Sequence, residues 1–402
     1  MTSEWRNLPL QDVVSLVIDY RGKTPKKLGS DWSAHGYRAF SAKNIKTGQI
    51  VQPESIRFAD VDLYKKWMKE EIQRRDILVT SEAPFGEVFL WDSNEKIVLS
   101  QCLFALRCKS DFYPPYIFYY MTTAQFQAEL RGRATGTTVT GLRQPELLKC
   151  SIKCPNYPTQ VFIADTLYAL DKRIANNKAI NHQLEQMTKM IYKSWFVDFE
   201  PWDGIMPNGW RTEKIGNLCR SVSQTHPRKK EKLIFFNTGD IDRGLFLHST
   251  YSLVRDMPGQ AKKSIEYNDI LYSEIRPINK HYAYVSFNSH DYIVSTKLLV
   301  IRATGINSRR LYHYLTSEDV IAELQMEAES RSGTFPQIRF DNIQNMDILL
   351  ATPEIEEKFA TILNDMYNTI ELNNAASAKL AEIRDILLPR LMSGKLKLSS
   401  EV

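Results

Sequence analysis

The feature that most constrains this chain is an internal repeat. The block Phe40–Ile50 recurs as Phe236–Phe246, displaced by 196 positions. Four further blocks recur in the same order. They begin at Trp5-Arg6, Asp76-Ile77-Leu78, Gly136-Thr137 and Ile163, and they recur from Trp210-Arg211, Asp269-Ile270-Leu271, Gly333-Thr334 and Phe359. The third of these blocks continues to Leu142-Arg143, which recurs as Ile338-Arg339. Blocks that keep both their order and a nearly constant displacement indicate a duplication. We therefore expect two related halves.

Each half begins with a region of mixed secondary structure. Runs rich in Val, Ile, Tyr and Phe predict strands, and they lie at 77–80, 87–91 and 97–100 in the first half and at 270–272, 282–287 and 292–295 in the second. Amphipathic stretches at 114–130 and 310–329 predict helices among them. The sequence therefore predicts a mixed α+β domain at the start of each half.

Each half ends in a long helical pattern. From about Pro158 to Phe196, apolar residues recur at steps of three and four with no internal glycine or proline. The second pattern runs from about Pro353 to Leu388, with Thr352 as its N-cap. The stripe positions are Ile163, Leu167, Leu170, Ile174, Asn177 and Leu184 in the first pattern, and Phe359, Leu363, Met366, Ile370, Asn373 and Leu380 in the second. Met187 and Ile191 extend the first stripe.

An amphipathic helix of this length must bury its apolar stripe. We expect the two helices to pair as an antiparallel coiled coil with pseudo-two-fold symmetry, with Asn177 and Asn373 fixing the register at the seam. The alternative is that each helix packs onto its own domain. The expected fold class is α+β, with domains at 1–157 and 199–351 and helical segments at 158–198 and 352–402, the last including the C-terminal tail.

Composition narrows the functional class. The chain has 402 residues, 43% of them hydrophobic and 25% charged, which excludes a disordered chain. It contains no apolar run near the ~20 residues of a membrane helix and no visible signal peptide, so we expect no membrane partner. Five cysteines at irregular spacing favour a reducing cytoplasm, and Cys150 and Cys154 are interpreted as structural. A net charge of +5 allows nucleic-acid binding only through local patches.

Two domains that are each followed by a long helix resemble the specificity (S) subunit of Type I restriction-modification systems. The resemblance covers essentially the whole chain. Its best local matches are the segments Gly136–Arg143 and Ser332–Arg339. The segment Pro207–Trp210 at the start of the second domain and the two Asp-Ile-Leu segments at 76–78 and 269–271 also match. None of these motifs is specific alone, and the resemblance rests on their combination with the architecture.

The resemblance implies different roles for the globular domains, the helices and the partner subunits. Each globular domain would be a target recognition domain that reads one half of a bipartite, asymmetric site in double-stranded DNA. The paired helices would set the gap between the halves and dock two modification subunits. Those subunits bind S-adenosylmethionine and methylate adenine, and restriction subunits that use ATP and Mg²⁺ join them. This chain would then be no enzyme, and it would bind no cofactor or metal itself.

The candidate DNA-binding residues follow from side-chain chemistry. Basic patches suit contacts with phosphates, and they comprise Arg21, Lys23, Lys26 and Lys27 in the first half and Arg228, Lys229 and Lys230 in the second. Base edges call for fork-shaped or amide side chains. The candidates in and beside the repeated loops are Lys43, Asn44, Thr80, Ser81 and Arg143 in the first half and Asn237, Thr238, Ser273, Arg276, Gln337 and Arg339 in the second. For any single exposed arginine or lysine, the alternative is that its side chain contacts only solvent and not DNA.

Two other functional classes stay open at this point. One is a self-contained DNA methyltransferase or nuclease. Tyr113-Pro-Pro-Tyr116 resembles the core motif of adenine methyltransferases, but it has tyrosine where those enzymes need an Asp or Asn acceptor, so we interpret it as a helix start. The other class is a coiled-coil adaptor with two protein-binding heads. Salt-sensitive affinity for duplex DNA would distinguish a DNA reader from such an adaptor.

Overall fold

A computed structural model describes residues 5–135, 140–331 and 334–395 of the chain, without the side chain of residue 331. Residues 136–139 of the first motif and 332–333 of the second therefore lie outside the described residues. The chain divides into two compact units. Unit 1 comprises Met1–Asn176 with Ala376–Val402, and unit 2 comprises Asn177–Ala375. Each unit thus combines one globular region with parts of both long helices.

Unit 1 is built from antiparallel strands with short helices between them. Its four-stranded sheet has the order Val14–Asp19, Leu103–Cys108, Ile77–Thr80, Val88–Leu90. A three-stranded sheet has the order Arg57–Ala59, Tyr37–Phe40, Val98–Leu99, and its second pair is parallel. Arg6–Pro9 pairs with Ser151–Cys154, and Ile45–Lys46 forms a hairpin with Gln49–Ile50. The helices are Leu10–Val13, Val61–Trp67, Pro114–Thr122, Ala124–Gly132 and Gln144–Leu148.

Unit 2 repeats this topology with one additional strand, Ala261–Ser264, at the edge of its second sheet. Its main sheet has the order Cys219–Ser221, Leu298–Ala303, Ile270–Ser273, Tyr282–Tyr284. Its second sheet has the order Tyr251–Leu253, Lys232–Phe236, Tyr292–Ser295, Ala261–Ser264. Arg211–Lys214 pairs with Asp347–Leu350, and Ile241–Asp242 forms a hairpin with Leu245–Phe246. The helices are Ser308–Leu315, Glu318–Arg331 and Phe340–Gln344. The matching strand orders confirm the expected mixed α/β composition of both halves.

In both units the central strand of the main sheet separates two apolar cores. In unit 1, Phe104 and Leu106 enter one core while Leu103 and Ala105 enter the other. In unit 2, residues 299 and 301 face one core and residues 298 and 300 the other. Successive side chains of a strand point to opposite faces, so a strand covered on both sides must be apolar throughout. This accounts for the continuous apolar runs of the sequence.

The long helices are Tyr157–Phe196 and Pro353–Met392. The first begins one residue before the predicted start. The second continues beyond the predicted end at Leu388, through Pro389. Proline removes one helical hydrogen bond, but Leu391 and Met392 are buried in a core of unit 1, and this burial favours continuation of the helix.

Within each unit, segments of the two long helices contact each other with opposite chain directions. In unit 2, Asn181 Nδ2 donates to Asn374 Oδ1 at 2.8 Å, and Thr188 Oγ1 lies 3.4 Å from the Tyr367 hydroxyl. In unit 1, Arg384 Nη1 lies 2.7 Å from Asp171 Oδ1. This antiparallel contact agrees with the expected pairing within each unit, while a continuous coiled coil stays a prediction.

Burial along the stripe supports most of the predicted positions. Of the twelve, Ile163, Leu167, Asn177, Phe359, Leu363 and Ile370 are buried and the others half-buried. Met187 was wrongly placed on the stripe, because its side chain is 48% exposed and the neighbouring Thr188 is buried instead. The helix segments also pack onto their own units, since Ile163 and Leu167 share a core with Leu10. Helix pairing and packing on the domain therefore coexist.

Candidate nucleic-acid interface

In unit 2, three loops are joined by backbone hydrogen bonds into one surface. These are the hairpin at 241–246, the strand-end loop at 274–282 and the loop at 334–339, which together we call the unit 2 loop surface. Arg243 N donates to Lys280 O at 2.9 Å, and Arg276 N donates to Pro336 O at 3.1 Å. Ile338 N donates to Glu274 O at 2.8 Å. The strand-end loop thus lies at the centre of this surface.

The unit 2 loop surface is rich in exposed arginines. Arg243, Arg276 and Arg339 are exposed, and Gln337 is half-buried. Arg243 and Arg276 have φ values of 46° and 44°, in the left-handed region that disfavours residues other than Gly, Asn and Asp. Guanidinium and amide groups are the side chains that pair with base edges and phosphates. The surface therefore brings together three predicted residues and one that was not predicted.

Unit 1 has an equivalent arrangement, the unit 1 loop surface, formed by the loops at 45–50, 80–88 and 140–143. Gly48 N donates to Val88 O at 3.0 Å, and Leu142 N donates to Ser81 O at 2.9 Å. The second bond corresponds, through the repeat, to the bond between Ile338 and Glu274. The candidate residue Arg143 is exposed here, and its contact with DNA stays a prediction. The duplication therefore extends to the way in which the loops are joined.

The predicted basic patch of unit 1 is partly used for internal contacts. Arg21 pairs with Asp19 at 2.8 Å and donates to Leu142 O at 3.0 Å, which places it beside the unit 1 loop surface. Lys23 Nζ donates to Trp67 O at 2.6 Å, and burial lowers the pKa of its amine. Lys26 and Lys27 are exposed, although Lys27 Nζ also donates to Gly22 O at 2.8 Å.

Four predicted base contacts are wrong because the side chains are buried. Asn44 is 1% exposed and donates to Ser55 Oγ at 2.8 Å, so its amide braces the turn before the hairpin. Thr80 Oγ1 accepts from Glu87 N at 2.8 Å. Ser273 Oγ accepts from Ile275 N at 3.0 Å, and Ser81 is fully buried. Polar side chains next to strand ends often satisfy the backbone, which their residue type alone does not reveal.

The remaining candidates lie on other loops of their units. Lys43 and Lys229 are exposed, and Asn237 and Thr238 are half-buried in the turn that precedes the unit 2 hairpin. Lys230 pairs with Asp291, whose carboxyl pKa is lowered by that bond. Arg228 Nη2 donates to Ala261 O. Two cations of the second basic patch are therefore engaged within the unit.

Two exposed residues of the hairpins were missed by the sequence analysis, namely Lys46 in unit 1 and Arg243 in unit 2. The repeat itself contained a signal for Arg243. Arg243 immediately precedes a glycine that recurs between the two halves, and its counterpart is Thr47. A loop that keeps its glycine but changes the neighbouring side chain is a good place to look for different specificities.

The described residues show neither a metal centre nor a membrane span. In 5–135, 140–331 and 334–395, no group of three or more His, Cys, Asp or Glu side chains could hold a metal ion. Within the same ranges, no helix is both long and apolar enough to cross a bilayer. The five cysteines, all in this part of the chain, are free.

Comparison with known proteins identifies the family. The sequence profile described as "Type I restriction modification DNA specificity domain" matches residues 2–186 and 207–382. The HindI specificity subunit of Haemophilus influenzae is 38% identical over 181 residues, which cover 44% of this chain and 39% of that protein. The MjaIX specificity subunit of Methanocaldococcus jannaschii is 24% identical over 340 residues, which cover 80% and 77%.

A solved structure shares the fold. The crystal structure of a Type I restriction-modification S subunit from M. genitalium has a TM-score of 0.63 at 14% identity, and the match covers 97% of this chain and 96% of that one. The alignment with the first curated relative spans less than two thirds of that relative's length. Because the family profile matches both halves of the sequence, this chain belongs to the Type I restriction-modification DNA specificity domain family.

Proposed function

We propose that this chain is the specificity subunit of a Type I restriction-modification complex, in which each globular region reads one half of a bipartite, asymmetric DNA site. The observation that carries the proposal is the pair of equivalent loop surfaces with different side chains. At corresponding hairpin positions unit 1 has Thr47 and unit 2 has Arg243. Related surfaces with different chemistry can read two different short sequences.

The proposal includes partners and excludes catalysis by this chain. Two modification subunits supply S-adenosylmethionine-dependent methylation, and restriction subunits supply ATP- and Mg²⁺-dependent cleavage. The paired helices set the gap between the half-sites and dock the modification subunits. The proposed compartment is the cytoplasm, which suits five free cysteines.

Methylation mapping tests this function directly. The full chain is expressed with a Type I modification subunit from the same source, in a host that lacks other adenine methylation, and methylated adenines are mapped across the genome. We expect methylation confined to one asymmetric sequence with two parts separated by a fixed gap. Methylation without a bipartite motif would contradict the proposal.

Two binding measurements address the alternative functions. A self-contained methyltransferase would bind S-adenosylmethionine as the isolated chain, whereas we expect no binding in isothermal titration. A protein-binding adaptor would show no affinity for duplex DNA. For the assembled complex we instead expect affinity that falls as salt rises, because phosphate contacts release counterions.

A further inference from the structure

The hairpin tip of unit 2 holds an arginine where the backbone favours another residue. Asp242 pairs with Leu245, so Arg243 and Gly244 form a two-residue turn, and their φ values are 46° and 93°. Turns with two positive φ values are normally occupied by Asn, Asp or Gly. Backbone preference therefore does not explain an arginine at this position, and strain of this kind often accompanies function.

The turn is held firmly against the body of unit 2. Arg243 N donates to Lys280 O at 2.9 Å, and Gly244 N donates to Tyr282 O at 2.8 Å. A Cβ atom added at Gly244 would lie 2.8 Å from the Tyr312 hydroxyl, so the glycine permits this close approach. The Arg243 side chain is nevertheless exposed. An exposed guanidinium therefore projects from a rigid base.

The equivalent turn of unit 1 is built differently. Thr47 N and Thr47 Oγ1 lie 2.7 Å and 2.5 Å from the same Glu87 oxygen. Thr47 keeps an ordinary negative φ, since only Gly48 of this turn has a positive value, 70°. At the same position of the repeat, one unit thus presents a hydroxyl tied to a carboxylate and the other a guanidinium.

We propose that Arg243 is a specificity-determining residue that reads a guanine in the half-site bound by unit 2. This inference rests on the proposed function. The planar guanidinium donates two parallel hydrogen bonds to guanine O6 and N7, a pattern that no other base pair presents in the major groove. A phosphate contact depends mainly on positive charge, which lysine also supplies, whereas two parallel hydrogen bonds to one base edge depend on the planar fork of arginine. The rigid turn provides that fixed position.

The test compares substitutions at this turn in the complete methyltransferase complex. Arg243→Asn suits the left-handed backbone and removes the fork, so we expect an unchanged or higher melting temperature. In the Arg243→Asn complex, the preference for guanine at one position of one half-site should fall about 5- to 150-fold. The other half-site and the gap should be unchanged. Arg243→Lys keeps the charge but loses the fork, and it should relax the same position.

The matched control is Arg255→Asn, which removes another arginine of unit 2 whose side chain is 78% exposed. The control should leave the methylation motif unchanged. An unchanged motif in Arg243→Asn, or a uniform loss of methylation that Arg243→Lys restores, would overturn the assignment and leave the proposed function intact. If the unsubstituted complex methylates no bipartite motif, the proposed function fails as well.

Discussion

Arg107 and Asp76 form a two-point ion pair inside unit 1. Arg107 Nε lies 3.0 Å from Asp76 Oδ1, and Arg107 Nη2 lies 2.8 Å from Asp76 Oδ2. The Asp76 side chain is 2% exposed and also accepts from Gln73 N at 2.8 Å. Unit 2 repeats the pair with Arg302 and Asp269. The aspartate of each Asp-Ile-Leu segment therefore fixes the central strands rather than contacting DNA.

Removing this carboxylate should destabilise unit 1. Asp76→Ala leaves the guanidinium without its buried partner, and we expect the free energy of unfolding to fall by about 3 kcal/mol in urea titrations. The control is Lys96→Ala, which breaks an ion pair with Glu71 whose side chains are 53% and 43% exposed. That change should leave the free energy of unfolding nearly unchanged, because exposed ion pairs contribute little to stability. Equal effects of the two substitutions would contradict this account.

Asn181 is expected to stabilise the helix contact of unit 2. It is 7% exposed, donates to Asn374 Oδ1 at 2.8 Å and accepts from Asn373 Nδ2 at 2.9 Å. Asn181→Ala removes both hydrogen bonds at a buried position of the helix contact and should lower the free energy of unfolding by about 1–3 kcal/mol. Gln186→Ala, at an exposed position of the same helix, should change it by less than about 0.5 kcal/mol. Chemical denaturation of both variants decides between these expectations.

His313 should make the stability of unit 2 sensitive to acid. Burial, with a smaller contribution from Arg310, lowers the pKa of His313 from 6.5 to about 3, and its Nε2 lies 3.0 Å from the Tyr367 hydroxyl. At a pH between these two pKa values, the side chain of His313 is protonated in the unfolded chain but not in the folded one. The contribution to stability is therefore present above pH 6.5 and is lost as the pH falls towards 3.

A neutral substitution isolates this effect. Between pH 6.5 and pH 5, the unsubstituted protein should lose about 2 kcal/mol more than His313→Gln, because glutamine does not titrate. Denaturant titrations of both proteins at several pH values measure the difference. Parallel pH profiles would show that His313 is not responsible.

The helices provide a test of the proposed spacing role. Four residues added to the helix Tyr157–Phe196 alone amount to about one turn and should shift Asn181 away from Asn374, so the complex should lose activity. Matched insertions in both long helices should restore the contact and lengthen the recognised gap by about one to two base pairs, because four residues add about 6 Å. Methylation mapping reads both results. An unchanged gap after matched insertions would contradict the spacing role.

The sequence by itself determined the duplication, the mixed α/β character and the long helices of this protein. These features can be predicted from repeated blocks and from local periodicity, because neither depends on contacts between distant parts of the chain. The same signals led to the family and to six buried positions on the two helical stripes. The error at Met187 arose because a strict alternation of three and four drifts around a helix of this length.

Only the tertiary structure decided which polar side chains are available to a ligand. Asn44, Thr80 and Ser273 look like surface residues in the sequence, but their hydrogen bonds to the backbone or to neighbouring side chains place them inside. Arg243 and Arg276 lie on one loop surface because backbone hydrogen bonds join loops that are separated in the chain. Burial and long-range pairing arise from packing of the whole unit, and local residue type does not encode them.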